Sequence, residues 1–451
     1  MSAVKEKSSV PAWFYPAFAS KGVGIVSVSA LLNYVTFFAT NYLGLSPALV
    51  GTLMLFSKIF DGFTDILAGF IIDHTNTRLG RARPYEISVI FYCFFTVVIF
   101  SVPDMGAAGT AAFVFIVYTL IFSVFSTLLT CSEPVYLARA VKDDATRVKV
   151  LSFSGLIYVI PTVAVSAILP QLIATIGATR AGWRTIALIL CIPATIIGMI
   201  RFITIKEIVD ADPAGKQKIG LKEGAMLLFK NKYILIFSLA LLLTNIAQNH
   251  GSGPYYFTYI VGDISMQSVT AIGTLLATMV LLFIPALSKK LGLAKVMKAG
   301  LILGAAGYLL PLIAPRLLPL LALSSMLSLG SIIPIWMLAG AIVINCMDYG
   351  EWRSGKRGEG IYSCASGVSS KVGIGLGAAI SGGILALGGF DRMLPVQNGP
   401  ANTAIMLLYT AIPAGFLLIS FIVMQFYNLD KKMPVIQQEL AERKIRREED
   451  A

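Results

Sequence analysis

The stretch SKIFDGFTDILAGF places Lys58, Asp61 and Asp65 inside an otherwise apolar run. Offsets of three and four residues set all three on one face of a helix. Thr64, one turn from Asp61, adds a hydroxyl oxygen nearby. An ionisable group within a membrane-spanning helix costs about 2.5–3.5 kcal/mol on insertion scales, so such groups are functional by default. An ion pair between Lys58 and Asp61 that only joins helices accounts for one acid and leaves the second without a partner in the segment. Two carboxylates one turn apart repel unless a proton or cation sits between them. The chemistry indicated is reversible cation binding by hard oxygen ligands, with Asp61 and Asp65 as the candidate ligands of Na+ or acceptors of H+.

Two further groups of residues carry chemistry. Lys371 lies some ten residues into an apolar segment, too deep to reach the interface easily, and is a candidate switchable partner of the two acids. The stretch TNIAQNHGSGPYYFTYIVGD clusters Asn245, Gln248, Asn249 and His250 with three tyrosines. Amides and aromatic rings suit a sugar, through hydrogen bonds to hydroxyls and stacking on the pyranose face. An interfacial aromatic belt accounts equally for Tyr256 and Tyr259, and His250 has the alternative of a hydrogen-bonded packing residue. Asn33 and Tyr34 are pore-facing candidates, and Tyr136 and Trp336 are candidate stacking platforms or packing residues.

The elements that must position these residues follow from composition. The chain has 451 residues, 56% hydrophobic and 13% charged, with mean hydropathy +0.78. A soluble domain is about 25% charged, so a soluble fold is excluded, as is disorder. At about 20 residues per crossing the chain holds roughly a dozen spans. Twelve apolar segments fall near 21–43, 48–72, 85–103, 108–133, 148–174, 182–203, 232–259, 267–288, 293–313, 318–346, 360–388 and 402–428. The expected fold is an all-α polytopic membrane protein with twelve transmembrane helices. Its expected parts are a six-helix bundle over 1–203, a central cytoplasmic loop over 204–231, a second six-helix bundle over 232–428 and a cytoplasmic tail over 429–451. The tail reads as a solvated helical end.

The net charge of +12 reflects topology rather than nucleic acid. With both termini inside, about 30 basic residues fall on the cytoplasmic side, as the positive-inside rule requires. The five cysteines lie scattered in apolar stretches and indicate no disulfide framework. Basic, Gly-containing turns after spans 2 and 8 form a weak internal repeat. Six plus six spans around a long central loop is the layout of the major facilitator superfamily, in which substrate binds near the midplane between the halves. No nucleotide-binding glycine motif or catalytic constellation is present, so neither an ATP-driven pump nor an enzyme is expected.

The stretch VGTLMLFSKIFDGFTDILAGFIIDHTNTRLGRARP resembles the span-2 signature of the glycoside–pentoside–hexuronide:cation symporters, the melibiose permease family. YYFTYIVGD resembles its span-7 end, and MDYGEWRSGKRGEGIYSCASGVSSKVGIGLG its span-10 to span-11 signature. The resemblance runs the length of the chain. It implies a major facilitator fold and symport of a glycoside, pentoside or hexuronide with Na+ or H+ across the cell (inner) membrane. By position, Asp61, Asp65, Thr64 and Lys371 resemble the family's cation-coupling residues, and Asp348, Glu351 and Arg357 its cytoplasmic gate. Ser132, with Glu133 adjacent, stands where the family has a third acid, and Ile25 stands near its sugar-binding aspartate, so the galactoside clamp is absent. The expected partners are a small sugar or glycoside and the lipid bilayer, with no cofactor, no nucleic acid and no obligate protein partner. The alternative is a carrier for another amphiphile such as a lysolipid.

Overall fold

The computed structural model describes residues 10–141, 144–207, 221–280, 283–355 and 359–449. The chain divides into two compact units, residues 1–215 with 263–268 and residues 216–262 with 269–451. Among the described residues every named element is helical. Among the described residues nine helical stretches are long and apolar enough to cross a bilayer, or ten if one bent pair counts as a span.

Unit 1 contains α1 (Phe14–Leu32), α2 (Val35–Asn41), α3 (Pro47–His74), α4 (Ser88–Ile99), α5 (Ala107–Thr119), α6 (Thr127–Ala140), α7 (Asp144–Ile176) and α8 (Arg180–Thr204). A π-helical stretch, Leu120–Ser126, joins α5 to α6. Unit 2 contains α9 (Leu221–Lys230), α10 (Lys232–Gln248), α11 (Gly253–Tyr255), α12 (Val269–Val280), α13 (Ile284–Leu291), α14 (Leu293–Leu309), α15 (Leu318–Ser354), α16 (Glu359–Leu387), α17 (Gly399–Tyr409), α18 (Ala411–Gln425) and α19 (Met433–Glu449).

The helix that carries the acid pair is specified locally. Ser46 caps α3 by accepting from the Leu49 amide, and Pro47 fills the first position, where no intrahelical N–H is needed. Its two faces separate by period. Phe56, Phe60, Phe63, Leu67 and Phe70 recur at steps of four and three and are all exposed, a surface suited to lipid. Ser57, Lys58, Asp61, Ala68 and Ile72 lie on the other face and are buried within the protein. With the backbone satisfied internally, this helix can place charge inward while it meets hydrocarbon outward.

In each unit a carboxylate just past a long helix ties down a loop or helix-start backbone. Glu207, just past α8, accepts from the amides of Arg81, Ala82 and Arg83 at 2.9, 2.7 and 2.6 Å. The adjoining Gly80 has φ +118°, and a Cβ there would lie 2.5 Å from the Glu207 carboxyl carbon, so only glycine fits. In unit 2, Asp430, past α18, accepts from the Ala294 amide at the start of α14 at 2.8 Å. The two acids occupy corresponding places, which extends the internal repeat seen in the sequence.

The tail departs from expectation. It is helical as α19, but it is not a solvated end: Met433 and Ile436 are buried and Leu440 packs against the hydrophobic core of unit 2. The high charge of the segment conceals apolar residues at helical spacing, and that edge finds a surface to cover.

Candidate functional site

The acid pair is assembled between α3 and the α5–α6 region of unit 1. Thr127 Oγ1 lies 3.0 Å from Asp61 Oδ1 and 3.2 Å from Asp65 Oδ1. Lys58 Nζ stands 3.6 Å from Asp61 Oδ2 and 3.7 Å from the centroid of the Phe122 ring. A line of hydroxyls continues the contact, with Thr119 donating to Ser57 Oγ at 3.1 Å and Ser123 meeting the Ser57 carbonyl at 3.4 Å. Thr127 has one hydroxyl hydrogen and faces two carboxylates and the Phe122 carbonyl, 3.2 Å away, so it can donate to only one of the three at a time. Its oxygen keeps lone pairs available to a cation.

Thr64, assigned to the cation-coupling set by position, lies on the same helix one turn from Asp61. Its hydroxyl donates to the Asp61 carbonyl at 3.0 Å, a bond back to its own helix. The hydroxyl that meets both acids is that of Thr127, which sequence reading missed. The reason lies in the π-helical stretch before it: each π turn takes in an extra residue, so a 3.6-residue period carried through α5 misplaces the face of α6.

A second cluster of charge lies in unit 1. Arg201 of α8 is fully buried; its Nε and Nη2 donate to Glu86 at 2.8 and 2.6 Å, and its Nη1 and Nη2 to Glu133 at 2.7 Å each. Its guanidinium lies over the rings of Phe18 and Tyr136, 4.7 and 4.8 Å from their centroids. Lys21 of α1 pairs with Glu133, lies 3.6 Å from Glu86 and donates to the Leu129 carbonyl at 2.9 Å. Two cations and two anions thus join α1, the turn before α4, α6 and α8. The sequence places Lys21 and Arg201 among the cytoplasmic basic residues and confines intramembrane charge to Lys58, Asp61, Asp65 and Lys371. The structure adds that Lys21 and Arg201 are buried and met by carboxylates, which the sequence does not mark, because charges at the end of an apolar run look alike whether water or a counter-ion receives them.

Three of the sugar-contact candidates fall in this unit. Tyr136 is fully buried, its hydroxyl donating to the Ile205 carbonyl at 2.9 Å and one face covered by Arg201. It is a packing residue and presents no stacking platform. Tyr34 is buried beside Trp183, with ring centroids 6.3 Å apart. Asn33 is exposed at the break between α1 and α2.

In unit 2 the amide-rich segment is a discontinuous helix. The α10 helix stops at Gln248, Gly251 takes φ +61°, and helix resumes at Gly253. Asn245 and Asn249 direct their amide N–H groups to the Leu241 and Asn245 carbonyls at 2.8 and 2.9 Å, which leaves their side-chain carbonyl oxygens outside these bonds. His250 Nδ1 lies 2.6 Å from Ser252 Oγ, and its carbonyl accepts from Ser381. Gln248 donates to Ser331 Oγ at 2.6 Å and accepts from the Tyr308 hydroxyl at 3.0 Å. Tyr308 and Ser331 were not singled out by the sequence, since nothing in α14 or α15 marks which hydroxyl meets the break. The α10 and α16 backbones approach closely here: a Cβ on Gly373 would lie 2.5 Å from the Leu242 carbonyl and 2.8 Å from Asn245 Cβ. Trp336, in contrast, is 72% exposed on α15 and does not join this polar group.

Lys371 is half-buried in α16 of unit 2. Asp348 is buried and Glu351 half-buried near the end of α15, while Arg357 lies outside the described residues. No group of three or more His, Cys, Asp or Glu residues suited to a metal occurs among the described residues. The donor set at Asp61 and Asp65 is therefore carboxylate and hydroxyl oxygen, the kind that suits hard cations rather than transition metals.

Comparison with known proteins agrees with this architecture. Residues 17–431 match the family described as MFS/sugar transport protein. The isoprimeverose transporter of Lactiplantibacillus pentosus is 28% identical over 93% of this chain and 88% of its own. A putative glycoside/cation symporter of Escherichia coli (strain K12) is 24% identical over 91% of this chain and 90% of its own. Among solved structures, a mutant of the nucleoside transporter NupG superposes with a TM-score of 0.63 at 17% identity, covering 92% of this chain and 98% of that one, a likeness of fold. The match over nearly the whole chain places the protein in the MFS/sugar transport family, as a multi-pass membrane transporter of the major facilitator type and not an enzyme.

Proposed function

We propose that the protein is a cation-coupled symporter that takes up a glycoside, pentoside or hexuronide with Na+ or H+. The observation that carries this reading is the pair of carboxylates, Asp61 and Asp65, held to one hydroxyl, Thr127, beside Lys58. A cation arriving at these oxygens relieves the repulsion between the two anions, and its departure restores it. That difference gives one state of the carrier a higher affinity for the ion than the other, which is what coupling requires, typically 1–3 kcal/mol. Lys371 serves as the competing cation when the site is empty, and Asp348, Glu351 and Arg357 serve at the cytoplasmic gate.

On the sugar side, the break in α10 offers Asn245, Asn249 and His250, with Gln248, Tyr308 and Ser331 as a supporting network. Half-helices that end inside a bundle are the usual place where transporters hold substrate. The names of the relatives, an isoprimeverose transporter and a putative glycoside/cation symporter, support a sugar. The protein sits in the cell (inner) membrane with both termini in the cytoplasm, on the distribution of its basic residues.

The test is uptake-linked pH change in cells or proteoliposomes, with a panel of isoprimeverose, free pentoses, other disaccharides and glucuronides, each with and without Na+. Alkalinisation without Na+ identifies H+ as the coupling ion, and the responding sugar identifies the substrate. Uphill accumulation surviving in Asp61→Asn under an imposed cation gradient would exclude coupling at this site.

A further inference from the structure

The last two turns of α15 carry Asp348 and Glu351, and they are held from outside by the C-terminal helix. Trp352, one turn after Asp348, donates its indole N–H to Glu439 Oε2 of α19 at 2.6 Å. The Trp352 carbonyl, among the last four of the helix and without an intrahelical donor, accepts from Arg443 Nη1 at 2.8 Å. Arg443 also lies 3.8 Å from Glu439, one turn back on α19. Beneath these polar contacts Met433, Ile436 and Leu440 form the apolar edge that meets the core of unit 2. On the neighbouring side, Arg353 donates to the Lys230 carbonyl at 2.9 Å.

We propose that the C-terminal helix is a clasp for the cytoplasmic end of α15, with Glu439, Arg443 and Trp352 as positioning residues for the last two turns, which carry Asp348 and Glu351. The guanidinium supplies a donor that the helix terminus lacks and places positive charge at its negative dipole end. The indole–carboxylate bond fixes the rotation of the same turn. Both polar side chains from α19 are exposed in part, 43% and 47% of their side-chain surface, and the apolar edge is short. The clasp therefore belongs to the weakly held parts of the structure, those that open locally without global unfolding. A turn whose rotation is set by such a clasp changes the rate at which the cytoplasmic end of the carrier rearranges, not the affinity of the substrate site.

The test uses the full chain in membranes, with Trp352→Phe, Glu439→Leu, Glu439→Gln and the double variant Trp352→Phe/Glu439→Leu. In hydrogen exchange, Trp352→Phe and Glu439→Leu raise the exchange rate of residues 348–354 about tenfold, with residues 186–194 of α8 unchanged. Glu439→Gln keeps a carbonyl oxygen for the indole and stays within about twofold of wild type, and the double variant does not exceed the single variants by more than about twofold, since one bond is lost in each. Sugar uptake, an arm that rests on the symport reading, shows Vmax lowered about threefold or more with KM within about twofold. Unchanged exchange at 348–354, an equal rise at 186–194, failure of Glu439→Gln to rescue, or a KM effect without a Vmax effect overturns the proposal. A wild-type protein that takes up no sugar counts against the symport reading alone, and the exchange arm still decides the clasp.

Discussion

Thr127 and Asp61 meet across two helices, hydroxyl to carboxylate at 3.0 Å, and the same hydroxyl lies 3.2 Å from Asp65. A hydrogen bond to a charged group contributes about 1.5–3 kcal/mol. Thr127→Val keeps the shape and removes the hydroxyl. Its apparent affinity for the coupling ion falls about tenfold or more, whereas Thr127→Ser stays near wild type. The dependence of sugar uptake on Na+ or H+ concentration measures both, and equal affinities in Val and Ser variants would remove Thr127 from the site.

Thr64 offers the matching control. Its hydroxyl is engaged by the Asp61 carbonyl, so Thr64→Val changes ion affinity by less than about threefold, within the few tenths of a kcal/mol of an exposed or self-satisfied hydroxyl. A tenfold loss here, measured in the same assay, would reinstate Thr64 as a ligand.

Arg201 is the point on which the buried quartet turns. Arg201→Ala leaves Glu86 and Glu133 facing each other with only Lys21 between them, a loss on the order of 3–5 kcal/mol. Arg201→Lys retains charge but cannot serve two carboxylates with paired N–H groups, so its melting temperature in detergent falls between wild type and Arg201→Ala. A melting temperature for Arg201→Ala equal to that of wild type would show the quartet to be dispensable.

The Glu207 carboxylate holds three successive amides next to a glycine that a side chain cannot replace. Glu207→Ala and Gly80→Ala each release the loop that carries Arg78, Arg81 and Arg83. Trypsin added to inside-out vesicles cleaves at those arginines several-fold faster in both variants than in wild type, while sites in the tail are cut at the wild-type rate. Protection of the loop in Glu207→Ala would mean that other contacts hold it.

Much of this was open to reading from one strand of text. The separation of α3 into an aromatic outer stripe and a charged inner face follows from offsets of three and four alone, and Asp61 and Asp65 are found where those offsets put them. What a single helix's period leaves out is the identity of the partner. Thr127 was hidden by a π-helical stretch that shifts the register of α6, and Tyr308 and Ser331 by their distance in sequence from the break they support. Tyr136 carried the right chemistry for stacking, but its ring is spent beneath Arg201.

By itself, then, the sequence determined the membrane class, the helical periodicity and the acid pair, because hydropathy and the 3.6-residue repeat are local and the cost of charge in hydrocarbon is large. The tertiary structure alone decided which hydroxyl joins the two acids, that Lys21, Glu86, Glu133 and Arg201 neutralise one another in the interior, and that a charged tail lies along α15. Those outcomes depend on which helix faces which, and pairing across helices is set by packing that no stretch of chain encodes on its own.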